Sequence, residues 1–175
     1  MTLSAYDPAW ARKAELLAAG IDALGSGVLA VHHVGSTSVP GLLAKSTIDL
    51  LAVVDSLDWL DRKRPALEAL GYQWRGEYGI AGRRYCVMSD DQSESVAHLH
   101  CYELLSPHVA RHLAFRDYLR AHPDKLAEYA EVKRTAWDGS GSAKADYATA
   151  KSAWVARIER DALDWFCELS QSPLE

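Results

Sequence analysis

His33-Val34-Gly35-Ser36-Thr37-Ser38-Val39-Pro40-Gly41, followed a few positions later by Thr47-Ile48-Asp49-Leu50-Leu51-Ala52-Val53-Val54, is the stretch on which the fold turns. Residues 28–34 read as a strand that runs into a Gly-Ser turn. Pro40 and Gly41 read as the start of a short helical turn. Residues 47–54 are β-branched and apolar, which marks a buried strand. Gly35 lets a backbone approach a ligand closely. Ser36, Thr37 and Ser38 offer hydroxyls, and a helix N-terminus after them would favour an anion, phosphate being the natural guest. An N-capped turn accounts for the same hydroxyls, because Ser and Thr are common caps. Asp49 is a charge within an apolar strand. Buried carboxylates are normally paired or bound to metal, so Asp49 is a candidate for either.

Working outward, residues 8–24 read as a helix with Asp7 as its cap and Pro8 in its first turn. Residues 58–70 read as a second helix closed by Gly71. Residues 72–78, 83–89 and 96–102 read as an antiparallel meander. From Ser106 the chain reads as helical. His122-Pro123 forms a break, a helix follows over 123–137, a flexible turn over 138–142, and a final helix over 143–169. The alternation of helices and strands specifies an α/β (α+β) fold with a helical C-terminal half. No linker divides it, so residues 1–173 read as one domain, and Leu174-Glu175 as a possible vector scar.

Three further groups carry chemistry. His98-Leu99-His100 puts two imidazoles on one strand face about 6.6 Å apart. That spacing suits one metal or one phosphate, and equally a half-exposed strand. Arg83 and Arg84 are adjacent, so alternation allows one of them at most to face a site. Tyr129-x-x-x-Lys133 and Tyr147-x-x-x-Lys151 each place a phenol and an ammonium on one helix face. Arg116 and Arg120 lie on a helix whose Phe115, Tyr118 and Leu119 read as packing residues.

Composition limits the partners. A net charge of −5 over 175 residues argues against double-stranded nucleic acid. The longest apolar run, Leu50 to Val54, is far too short for a membrane span. Three cysteines with no C-x-x-C spacing argue for an intracellular chain without a disulfide framework. No signal peptide is legible at the N-terminus. Six tryptophans suit either a core or an interface in a homo-oligomer.

These segments resemble the GrpB (UPF0157) family. The resemblance rests on Tyr6-Asp7-Pro8-Ala9-Trp10, His33 to Gly41, Lys45 with Ile48-Asp49, Gly82-Arg83-Arg84-Tyr85, His98-Leu99-His100, Phe115 to Arg120, Tyr129 to Lys133 and Tyr147 to Lys151. It implies a bacterial cytoplasmic protein of the nucleotidyltransferase fold superfamily, with a mixed β-sheet flanked by helices; the GrpB family also occurs fused behind dephospho-CoA kinase. Such enzymes carry two carboxylates at i and i+2 on the second strand. Here Leu51 follows Asp49 at that interval, and Asp55 lies about 20 Å further along the strand. The expectation is therefore a site in which Asp49, His98 and His100 hold a divalent metal (Mg, Mn or Zn). Asp49 would be the catalytic group. Gly35, Ser36, Thr37, Ser38, Lys45, one of Arg83 and Arg84, Lys133 and Lys151 would hold nucleotide phosphates. The expected activity is nucleotidyl transfer. The alternatives are a non-catalytic nucleotide or CoA-type binding module and a metal-dependent phosphohydrolase.

Overall fold

The computed structural model describes residues 3–139 and 144–171, without side-chain detail for 144–148, 170 and 171. Five strands form one mixed sheet in the order β1-β2-β5-β4-β3. They are β1 (Val28–Val34), β2 (Ile48–Val54), β3 (Gln73–Trp74), β4 (Arg84–Ser89) and β5 (Ser95–Glu103). The pair β2–β5 is parallel, and the other neighbours are antiparallel. The expected meander is present as β3–β4–β5, with β3 only two residues long.

Period-two alternation decides what each sheet face does. Ile48, Leu50, Ala52 and Val54 point to one face with Leu99 and Cys101. There they pack under Trp10, Ala14 and Ile21 of α1 (Ala9–Asp22) and under Leu60 and Leu67 of α2 (Leu57–Arg62) and α3 (Arg64–Ala69). Asp49 and Leu51 point to the other face, where Val34, Leu51 and Tyr102 meet Val109 and Leu113 of α4 (Pro107–Ala121). Beyond α4 lie α5 (Pro123–Gly139), which packs on it through Leu119, Tyr129 and Ala130, and α6 (Lys144–Gln171), which packs on it through Ala114, Tyr118, Ile158 and Ala162.

Four expectations are corrected. The helix expected over 58–70 is two helices, because Pro65 has no N–H for the ladder and the chain breaks at Lys63. The short helical turn lies at Ser36–Ser38 as a single 3-10 turn, not after Pro40. No helix follows the Gly-Ser loop, so no helix dipole is aimed at it. Pro8 caps α1, with Asp7 Oδ1 accepting from Ala9 N at 2.8 Å. The strand expected over 72–78 is confined to Gln73–Trp74, and the chain turns at Gly76 with a positive φ. The turn expected over 138–142 falls largely outside the described residues, as does Leu174-Glu175. All three cysteines are free thiols, Cys86 and Cys101 being buried. Among the described residues no helix is long and apolar enough to cross a membrane.

Candidate functional site

Strand β1 delivers the chain to Gly35, whose φ is +69°. A Cβ there would lie 2.4 Å from Asp49 Oδ2. Only glycine lets the loop lie this close to the Asp49 carboxylate. The hydroxyls that follow divide their roles. Thr37 Oγ1 is bonded to His33 Nε2 at 2.9 Å and donates to Thr47 O at 3.4 Å. Ser38 Oγ donates to Gly35 O at 2.6 Å. Both side chains are buried and spent on holding the turn. Ser36 alone of the three lines the cavity beyond it.

That cavity holds about 220 Å³ between the sheet and the helical half. Its walls include Gly35, Ser36, Asp49, His100, Lys151 and Arg111. The parallel register sets Asp49 beside His98 and Leu51 beside His100. His98 Nδ1 is 3.1 Å from Asp49 Oδ1, and His100 Nε2 is 3.9 Å from the same oxygen. Burial raises the Asp49 pKa, but bonding and charge from His100 and His98 outweigh it and hold the carboxyl far below its usual range. Tyr85 on β4 lies against both rings, and burial near Asp49 pushes its phenol up to about 12. Leu51 is fully buried in the apolar cluster with Val34 and Tyr102. The position of a second carboxylate is thus occupied by core.

Helix α5 supplies Lys133, which is 1% exposed. Its Nζ contacts Ser36 Oγ and donates to Leu43 O at 2.7 Å, over the Tyr129 ring at 4.7 Å. Burial, with Lys151 nearby, drives its pKa well below the ordinary lysine value, against the opposing pull of Asp49. Lys151 of α6 is also lowered by burial and raised by Asp49. The Tyr147 side chain lies outside the described residues.

The remaining candidates sit elsewhere. Arg84 makes a two-bond pair with Asp61 at 2.6 and 2.8 Å, on the opposite side of the sheet from Asp49, and does not join the cavity. Arg83 is buried, donates to Glu77 O and Tyr78 O, and stacks 4.9 Å from Tyr85. It therefore backs the histidine layer and does not line the cavity. Lys45 lies 5.4 Å over Trp137 and lines a separate polar cavity with Thr47 and Glu94.

Three lining residues escaped the sequence reading. Arg111 pairs with Glu159 at 2.5 Å, and its other amino group lies 3.2 Å from His112 Nε2. Burial, then His100 and Arg111, pulls His112 down to about 3. The signal for Glu159 was present: it lies two helical turns after Lys151, on the same face. Arg111 and His112 gave no comparable signal in a segment read as packing helix.

The residues can accommodate a cation only in part. Asp49 Oδ1 and His98 Nδ1 are spaced like two ligands of one ion with bonds near 2.1 Å. His100 is further off. Among the described residues no group of three His, Cys, Asp or Glu side chains has metal-site spacing.

The sequence pattern of the family described as GrpB protein matches residues 1–161. The chain belongs to the GrpB family. It is 38% identical over 164 residues to UPF0157 protein BH1888 of Halalkalibacterium halodurans, covering 93% of this chain and 82% of that one. It is 39% identical over 141 residues to UPF0157 protein YqkA of Bacillus subtilis, covering 81% of this chain but only 40% of the relative. Similarity also reaches a dephospho-CoA kinase of Mycobacterium tuberculosis, at 31% identity over 184 residues and 45% of that protein's length. Among solved structures, GrpB from Enterococcus faecalis superposes with a TM-score of 0.89 at 34% identity, covering 94% of this chain and 99% of that one. The mixed sheet flanked by helices is thus the GrpB fold.

Proposed function

We propose that this GrpB protein binds the polyphosphate end of a nucleotide or CoA-type ligand in the cavity between Gly35-Ser36 and α5–α6. The observation that carries the reading is the convergence of Ser36, Arg111 and Lys151 on one small polar cavity next to the Gly-Ser loop, with Lys133 bonded behind Ser36. At about 220 Å³ the cavity is below the roughly 300–1,000 Å³ of sites that enclose a drug-sized ligand. It suits phosphate groups, with the nucleoside or pantetheine part outside. His100 Nδ1 and Arg111 Nε, both buried without a hydrogen-bond partner among the described residues, are donors or acceptors that a ligand or water could satisfy. The similarity to dephospho-CoA kinases supports the same ligand class. The test is calorimetry with ATP and with dephospho-CoA. Micromolar binding that weakens at least tenfold in Lys151→Met supports the reading. No heat from either ligand, with or without Mn²⁺, would overturn it.

A second reading adds a divalent metal, Mg, Mn or Zn, at Asp49, His98 and His100, and with it nucleotidyl transfer. What favours it is that both histidines approach the same Asp49 oxygen. A carboxylate beside phosphate is also repulsive unless a cation bridges them. Imidazole and carboxylate together suit Zn, Mn or Fe. Such an ion would polarise a phosphoryl oxygen. If it binds here, nucleotide affinity rises with Mn²⁺ in the wild type and not in Asp49→Asn. Equal enhancement in both would place the ion elsewhere.

A further inference from the structure

Ser36 and Lys133 have a relationship that phosphate binding alone does not require. Ser36 Oγ and Lys133 Nζ are 2.5 Å apart, although α5 lies far along the chain from the loop. The lysine sits behind the serine: Ser36 lines the cavity, and Lys133 is sealed beneath it. Leu43 O accepts a second bond from Nζ and fixes the direction of the amine. Among the described residues no carboxylate pairs with Lys133. A buried ammonium without a paired carboxylate is costly, so burial pulls Lys133 toward the neutral amine, against the opposing charge of Asp49. Nζ donates to Ser36 Oγ in this structure, and once the amine is neutral its lone pair can accept from the same hydroxyl across the same contact. Ser38 in the same turn donates to Gly35 O, and Thr37, though held by His33 Nε2 and Thr47 O, is buried away from the cavity that Ser36 lines. A nucleophile held against a base whose own orientation is fixed by a third group is the arrangement of covalent catalysis, and serine–lysine pairs are one of its forms.

We infer that Ser36 is a nucleophile, activated by Lys133, toward a phosphorus centre of the ligand held in the cavity. This rests on the phosphate-binding reading for the identity of the electrophile. In the step, the Ser36 Oγ–H proton passes to Lys133 Nζ as Oγ bonds to phosphorus. The bridging P–O bond opposite breaks, and its electron pair leaves on the departing phosphate oxygen. That oxygen departs as a phosphate anion into the cavity, Lys133 keeps the proton as an ammonium, and Ser36 is left as a phosphoester. Lys151, across the cavity, offsets charge on the non-bridging oxygens. The arrangement gives the site its own acceptor hydroxyl and base, in a fold whose second carboxylate position is filled by Leu51.

The test uses the intact chain and diisopropyl fluorophosphate, a phosphorus electrophile whose leaving group is fluoride. Peptide mass spectrometry is expected to place one adduct on Ser36, absent in Ser36→Ala. Lys133→Met should slow labelling by about 10²-fold, the usual share of a general base. A small amine such as propylamine should restore part of the rate in Lys133→Ala. No adduct on the wild type, an adduct on another hydroxyl, or unchanged labelling in a folded Lys133→Met overturns the inference. If Lys133→Met does not fold, the wild-type adduct site decides. Nucleotide binding measured in parallel separates the two ideas. Binding without Ser36 labelling removes the nucleophile and keeps the binding site. Ser36 labelling without binding of ATP or dephospho-CoA removes the phosphate-ligand reading instead.

Discussion

A methyl group on Gly35 would meet the Asp49 carboxylate while the backbone holds a left-handed φ. Gly35→Ala is therefore expected to cost at least about 1–3 kcal/mol, the range for a strained non-glycine φ, before any clash is relieved. Urea unfolding measures it, and a loss under 0.5 kcal/mol, roughly the scale of a neutral surface change, would mean that the loop can move away. His33 gives a pH prediction. Burial lowers its pKa from 6.5 to about 4. The unfolded chain binds a proton there first, so this contribution is present above pH 6.5 and is lost as pH falls toward 4. The limiting slope is about 1.4 kcal/mol per pH unit, reduced here because the ring is only half-buried. His33→Gln should flatten the melting temperature between pH 6.5 and 4. At this scale Gly35, Ser36 and Asp49 were legible because each breaks its local pattern. Arg111 was not: an arginine on an amphipathic helix has the same signature whether it faces water or a cavity.

Helix α4 does more than cover the sheet. Arg120 donates twice to Ser38 O, at 3.1 and 2.6 Å, and Arg116 donates to His33 O at 3.2 Å. Asp117 accepts two bonds from Arg116, at 2.7 and 2.9 Å, and holds its plane. The helix thus ties down both ends of the Gly-Ser turn. Arg120→Met leaves the Ser38 carbonyl without these donors and should cost about 1–3 kcal/mol. Arg120→Lys should recover only part of the loss, since a point charge cannot reproduce the fork. Thermal unfolding of the two variants checks this, and full recovery by lysine would make the fork irrelevant. The sequence placed α4 and its packing residues correctly, with the two arginines assigned to an amphipathic surface. Their targets are carbonyls more than eighty positions away, which no local pattern reports. The split of α2 from α3 was readable in principle from Pro65, whose effect the leucine spacing masked.

Across the whole molecule, the cavity lies where the sheet meets α4, α5 and α6, and each side contributes part of its wall. Ligand binding should therefore tie the two halves together. At a ligand concentration of about 100 times Kd the gain is about 2.7 kcal/mol. Amide hydrogen exchange should slow in α5 and α6 as well as in the loop. Protection confined to residues near Gly35 would show that the helices do not close on the ligand. The meander followed from strand patterning and turn residues, and the mixed sheet flanked by helices from the GrpB resemblance. Lys133 and Lys151 were singled out by their Tyr-x-x-x-Lys spacing, whereas Arg111 was not, because its place depends on how α4 crosses the sheet.

The parallel pairing of β2 with β5 also constrains the order of events during folding. Asp49 and His98 are register partners 49 positions apart, and the loop between them contains α2, α3, β3 and β4. Closing so long a loop is entropically slow compared with forming local helices or the β1–β2 hairpin. During synthesis the Gly-Ser turn and Asp49 emerge well before their histidine neighbours, and before the lysines of α5 and α6. A chain interrupted anywhere before β5 would hold the Asp49 carboxylate without the His98 and His100 rings that now lie against it. In refolding, recovery of the site should therefore lag behind recovery of helical signal.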